Sequence, residues 1–247
     1  MNDILLDIRD LSKSYPGFRL DRAGLQVKQG SIHGLIGRNG AGKTTLLRTV
    51  LGFTPRDGGT VRVFSMDPEK DALRIRRRVG YAGAGSFYPR LPVRAHKDIV
   101  SRFYPEWDDG TWRELLERFS LDENKCPAEY SEGMKVKLQL ALALSHGAEL
   151  LILDEPTSGL DPVSRAELTE LFCSLREKGT SILFSTHITS DLEKCADDLT
   201  YLKKGKVLYS GSKEELLGRC AARGQGSTLE EIMVFAERED GNEGSAL

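Results

Sequence analysis

The chain has 247 residues, 39% of them apolar and 29% charged, and a net charge of −2. This supplies apolar material for one lobed domain or two small ones, and it excludes a chain built mainly to neutralise nucleic-acid phosphates. No run approaches the roughly 18 consecutive apolar residues of a membrane span. The N-terminal stretch carries acids where a secretory signal carries bases. Cys126, Cys173, Cys195 and Cys220 lie far apart without CxxC spacing, so the expectation is reduced thiols in a cytoplasmic protein, with neither a disulfide framework nor a zinc site.

Taken in chain order, residues 4–8 form the first short β-branched run. Residues 31–36 form the second and lead straight into a glycine-rich stretch. Leu46, Leu47, Val50 and Leu51 then repeat at helical spacing up to Gly52. A third run, 60–64, is predicted to join the first in an antiparallel side sheet. Between about residues 86 and 147 the strand signal vanishes, and segments 112–119 and 134–146 read as helices, which predicts a helical lobe inserted into the sheet domain. Strand pattern returns at 150–154, 180–185, 199–202 and 206–210. Between the first two of these a helix is predicted from the N-cap Asp161 and Pro162, with Leu168, Leu171, Phe172 and Leu175 on one stripe before Gly179. Strands alternating with helices place the chain in the α/β class, around a largely parallel sheet. The polar end at 237–247 predicts a frayed tail.

The chemistry concentrates at three strand ends. Gly37-Arg38-Asn39-Gly40-Ala41-Gly42-Lys43-Thr44 follows a strand and opens a helix, the context that a phosphate-binding loop requires. Its glycines let successive N–H groups turn toward phosphate oxygens, and the helix aims its positive end at the same anion. Lys43 would reach the terminal phosphates of ATP and Thr44 would ligate Mg2+. The run 150–153 ends in Asp154 and Glu155, where open α/β sheets place their ligands. Asp154 is the second candidate for holding Mg2+, and Glu155 the candidate to orient or deprotonate an attacking water. His187 ends the run 181–186 at the same expected edge of the sheet. The run Arg74-Ile75-Arg76-Arg77-Arg78 reads as a solvated helix face, because nothing aromatic interleaves it.

Together these pieces resemble the ATP-binding subunit of an ATP-binding-cassette (ABC) transporter over residues 4 to 215. The resemblance rests on the phosphate loop at 37–45, Tyr130-Ser131-Glu132-Gly133-Met134 at the signature position, the acids of 150–155, the loop 156–161, and His187 in the switch position. Segments 103–108 and 132–137 look closer to a bacterial exporter-like branch. The resemblance implies a phosphate-loop nucleotidase (RecA-like) α/β core with an antiparallel β side sheet and an inserted α-helical subdomain. In this division 1–85 and 148–215 form the core, 86–147 the helical subdomain, and 216–247 a C-terminal helix and tail.

The same resemblance implies a head-to-tail dimer, with an identical or a different ATP-binding subunit, that sandwiches two ATP molecules. Gly37 to Thr45 of one subunit, Arg38, Asn39, Gly40, Ala41 and Gly42 included, would then meet Ser131 and Gly133 of the other. Tyr15 occupies the position that stacks on adenine, and Asp161 lies in the loop where subunits meet. The implied function is hydrolysis of ATP, with Glu155, His187 and Lys43 as catalytic groups, powering a separate membrane permease from the inner face of the cell membrane.

Two departures stand out. Glu132 occupies a position that is commonly glycine in the family, and Ala84 or a neighbour stands where the family usually has glutamine. These departures motivate an alternative, a nucleotide-gated regulatory or scaffold module with little hydrolysis or transport.

Overall fold

Strand β1 (Ile4–Tyr15) turns at Pro16 and Gly17 into β2 (Phe18–Lys28), and β4 (Gly58–Val63) pairs with the other edge of β1. The three form the antiparallel side sheet expected from the first and third runs, in the order β2-β1-β4. The computed structural model describes residues 4–83 and 87–238. Ala84 and the end of the expected tail, from 239 onward, lie outside the described residues.

The first strand runs well beyond the expected residues 4–8, and β2 is absent from the seven predicted runs, for one reason. The register slips between Ile8 and Leu11 and again between Leu11 and Lys13, with Asp10 and Arg22 at φ of 50° and 49°. Each bulge inserts a residue and breaks the two-residue alternation by which a strand is read. Leu6, Ile8 and Leu11 still meet Leu20, Ala23, Leu25 and Val27 in one buried layer.

A second sheet holds β3 (Ile32–Ile36), β5 (Val79–Ala82), β6 (Leu150–Asp154), β7 (Ser181–Thr186), β8 (Asp198–Lys203) and β9 (Lys206–Ser212). Their order is β5-β6-β7-β3-β8-β9, with every pairing parallel except that of β8 with β9. Every residue of β3 and β7 is buried, as expected of parallel strands covered on both faces. The weakest run in the sequence, β5, has only four residues, and one is Gly80. Ala143 approaches so closely there that a Cβ on Gly80 would stand 2.5 Å from it.

The helices are α1 (Lys43–Val50), α2 (Ala72–Arg76), α3 (Val93–Val100), α4 (Asp109–Arg118), α5 (Glu132–Ser145), α6 (Pro162–Glu177), α7 (Thr189–Cys195), α8 (Lys213–Ala222) and α9 (Leu229–Arg238). Among the described residues 87–149, every regular element is helical. The structure forms two helices, α8 and α9, beyond residue 212, where a single terminal helix is expected.

Two cores result. One packs α1 and the side sheet on one face of the parallel sheet, through Leu46, Leu47, Ile152 and Leu183. The other packs α4, α5 and α6 around Trp112, Leu138, Phe172 and Phe184. At about 1.5–3 kcal/mol per large buried apolar side chain, these layers carry the fold. The α6 stripe is buried as predicted, and the Asp161 carboxylate accepts hydrogen bonds from the N–H groups of Val163 and Ser164.

The basic run is only partly the solvated face expected. Arg74 is exposed and pairs with Asp71, but the Arg76 guanidinium lies 4.9 Å from the Phe53 ring centre and that of Arg78 lies 3.8 Å from the Phe64 ring centre. These rings come from distant parts of the chain, so the local sequence carried no sign of them.

Candidate functional site

Parallel strands present their carboxyl ends at one edge, and the order β6-β7-β3 sets three of the marked segments side by side. From β3 the chain enters the glycine loop and then α1. A Cβ on Gly37 would lie 2.3 Å from the Leu202 carbonyl oxygen, so the loop rests directly on the β8–β9 hairpin and requires glycine at this position. The same hairpin holds the loop from below, the Gly205 N–H donating to the Ala41 carbonyl at 2.9 Å. Gly40 and Gly42 have φ of 81° and 110°, a region that side chains disfavour.

Lys43 folds back into this loop, with its side chain 6% exposed. Its ammonium donates to the carbonyl of Gly37 at 2.7 Å and of Arg38 at 3.3 Å, and it ion-pairs with Glu155 Oε1 at 3.0 Å. Glu155 Oε2 lies 2.9 Å from His187 Nδ1, so all three predicted catalytic groups meet at one carboxylate. The contact with a carboxylate places the hydrogen on Nδ1.

Glu155 adopts φ of 54°, a left-handed conformation that costs a residue with a Cβ roughly 1–2 kcal/mol. Its N–H is held by the carbonyl and the hydroxyl of Ser185, both at 3.1 Å. That turn aims the carboxylate across the edge toward Lys43 and His187, away from the line of β6.

Beside it Thr44 and Asp154 come together. The Thr44 hydroxyl donates to Asp154 Oδ2 at 2.9 Å, and the Ser185 hydroxyl donates to Oδ1 at 2.6 Å. The Tyr81 phenol is pushed above its ordinary pKa by burial and then by the negative charge of Asp154. Ser185 escaped the sequence reading, although a hydroxyl inside the buried run 181–186 was the available signal.

A hollow of about 400 Å³ lies over the loop, walled by Arg38, Asn39, Thr44, Thr45 and Glu155 together with Phe18, which the sequence reading also missed. Phe18 packs against Gly42, where a Cβ would stand 2.6 Å from the ring. Tyr15, its partner across the hairpin, is 45% exposed. Arg38 lies 3.6 Å from Glu237 of α9.

Ser131, Gly133 and Asp161 do not line this hollow. Ser131 caps α5, accepting from the Met134 N–H at 3.3 Å, and a Cβ on Gly133 would lie 3.7 Å from Leu160 and 3.8 Å from Ser164. The signature and the 156–161 loop thus pack on each other within the chain, apart from the chain's own phosphate loop. Glu132 pairs along the helix with Lys135 at 2.7 Å, which balances its charge.

The sequence model described as "ABC transporter" matches residues 20–158. The chain is 37% identical over 209 residues to the bacitracin transport ATP-binding protein BcrA of Bacillus licheniformis, covering 83% of this chain and 68% of that one. It is 34% identical over 226 residues to the daunorubicin resistance ATP-binding protein DrrA3 of Streptomyces coeruleorubidus, covering 87% and 71%. A solved structure described as an ATP-binding subunit of an ABC transporter superposes with a TM-score of 0.82 at 28% identity, over 93% of this chain and 98% of that one. The cbiO1 structure from Clostridium perfringens, at 22% identity over 95% of this chain and 99% of that one, shares the fold with a TM-score of 0.73. The ordered motifs, their meeting at one sheet edge and these likenesses agree: the chain belongs to the ABC transporter family, as an ATP-binding subunit.

Proposed function

We propose that the chain hydrolyses ATP and thereby drives a separate membrane permease, acting from the cytoplasmic face as one half of an ATP-closed, head-to-tail dimer with an identical or a different ATP-binding subunit. The observation that carries this reading is the convergence of Lys43, His187 and the left-handed Glu155 on one carboxylate beside the phosphate loop. In this reading Lys43 and the loop N–H groups hold the terminal phosphates. Glu155 accepts the proton of the attacking water, and His187 holds Glu155 and senses the γ-phosphate. Closure would bring Ser131 and Gly133 of one subunit, at the head of α5, to the nucleotide of the other, since neither reaches its own loop. The helical segment between 86 and 147 would carry the resulting motion to the permease. Relatives named for antibiotic transport, drug resistance and Nod factor export support outward transport.

Thr44 and Asp154 would hold the Mg2+ that accompanies ATP. They fit it, because a hydroxyl and a carboxylate oxygen already stand 2.9 Å apart and are hard oxygen donors. When bound, the ion neutralises phosphate charge.

Phosphate release by the purified chain with Mg-ATP, alone and with its permease in proteoliposomes, tests the proposal. Release in either setting supports it, and release in neither would sink the catalytic half. Gly37→Ala is expected to weaken ATP binding at least tenfold by calorimetry, because the added methyl displaces the loop from the Leu202 carbonyl. Tyr15→Ala is expected to weaken ATP binding about tenfold while leaving inorganic triphosphate binding unchanged, the signature of a lost base–aromatic stack worth ~1–3 kcal/mol. Equal losses for both ligands would assign Tyr15 to the scaffold.

A further inference from the structure

Helix α5 carries a polar side chain inside an otherwise apolar stretch, Leu138-Gln139-Leu140-Ala141-Leu142-Ala143. Gln139 shares one helical face with Glu132, Val136 and Ala143, because these positions follow the spacing of three and four residues. At the C-terminal end of that face Ala143 packs on Gly80 of β5. One turn earlier, the Gln139 side-chain amide donates to the Gly83 carbonyl at 3.0 Å.

The position of that carbonyl matters. Ala82 pairs with Leu153 in the parallel register of β5 and β6, so Gly83 stands level with Asp154. Gln139, Glu132 and Val136 line a hollow of about 490 Å³ together with Asp154, Glu155 and Pro156. Gly83 meets this amide through its main chain, and a side chain there would collide with the Tyr81 phenol, a Cβ standing 2.2 Å from its oxygen.

We propose that Gln139 is a positioning residue for hydrolysis. Its amide ties α5, with Ser131 and Gly133 at its head, to the end of β5 beside Asp154, so that displacement of α5 is transmitted to the edge that carries Asp154 and Glu155. This rests on the ATPase reading of that edge and adds a group to it that belongs to none of the sequence motifs. The tie is a directional hydrogen bond, and it therefore breaks or forms as a unit when α5 moves relative to β5.

Three substitutions separate the hydrogen bond from packing. Gln139→Met keeps the length and removes the donor. Gln139→Glu keeps the shape and sets a carboxylate against the carbonyl. Gln139→Lys restores a donor of similar reach. With the purified chain, Gln139→Met and Gln139→Glu are expected to lower kcat about fivefold, the scale of one hydrogen bond. ATP Kd should stay within twofold and the melting temperature should be unchanged, and Gln139→Lys should recover at least half of the lost kcat. Full kcat in Gln139→Met, or equal losses in all three variants, would overturn the proposal. A wild type that hydrolyses no faster than Glu155→Gln would instead overturn the ATPase reading on which it rests, so the two failures are distinguishable.

Discussion

Glu155→Gln is expected to slow ATP hydrolysis at least a hundredfold while ATP binding stays within a few-fold of wild type. The amide cannot take a proton from water, and loss of a positioned general base costs about 10²–10⁴ in rate. Binding survives because Lys43 keeps its hydrogen bonds to the Gly37 and Arg38 carbonyls when the carboxylate is gone. The left-handed backbone at Glu155 is held by Ser185 through the main-chain N–H, so glutamine inherits the same turn. Phosphate release at saturating Mg-ATP reads the first effect and calorimetric titration reads the second. A rate within threefold of wild type would remove Glu155 from the role of base. If the dimer closes around ATP, the variant should also accumulate as an ATP-dependent dimer on a sizing column, because reopening requires hydrolysis.

The second large effect concerns acid stability. His33 in β3 and His146 at the end of α5 are both almost wholly buried, and burial pushes each imidazole down to about 4 from its ordinary 6.5. The Nε2 of His33 shares a hydrogen bond with the Thr200 hydroxyl at 2.8 Å, and His146 stacks on Tyr104 with ring centres 3.8 Å apart. With the folded pKa below the unfolded one, the unfolded chain takes up protons that the folded chain refuses. Their contribution is complete above pH 6.5 and is lost as pH falls toward 4.

At pH 4.5 the loss amounts to roughly 2 kcal/mol for each imidazole, a large share of the ~5–15 kcal/mol that holds a typical domain together. The Asp67 carboxylate, held down to about 2 mainly by its hydrogen bond with Arg56, loses its contribution only below the ordinary carboxylate range, so it does not confuse this window. Urea unfolding at pH 7.5 and pH 4.5 should show the drop, and His33→Gln should lessen it by about half. Equal unfolding free energies of the wild type at the two pH values would refute the account.

The parts of this protein legible in its sequence are those whose meaning is local. The glycine loop, the acid pair after an apolar run, the Asp161-Pro162 helix start and the α6 stripe each depend on residues within one or two turns of one another. Each is found where it was expected. The losses have equally local causes. Bulges at Asp10 and Arg22 hid half of the side sheet, and four residues with a glycine were too short to announce β5. Phe18 carries no motif, and only its place across the hairpin from Tyr15 brings it to the loop.

The sequence by itself thus determined the chemistry available: a phosphate loop, two acids, a histidine and an α/β scaffold to present them. Tertiary structure alone decided which of these groups touch. Thr44 and Asp154 are 110 residues apart and meet because crossovers set β6, β7 and β3 side by side, an adjacency that no local pattern encodes. The left-handed turn of Glu155 and its shared contact with Lys43 and His187 depend on that same adjacency, and the reach of Gln139 to Gly83 depends on the packing of α5 against β5. Parallel strands carry their chemistry at their ends, so the order of the strands in the sheet, which only the folded chain possesses, is what assembles the site.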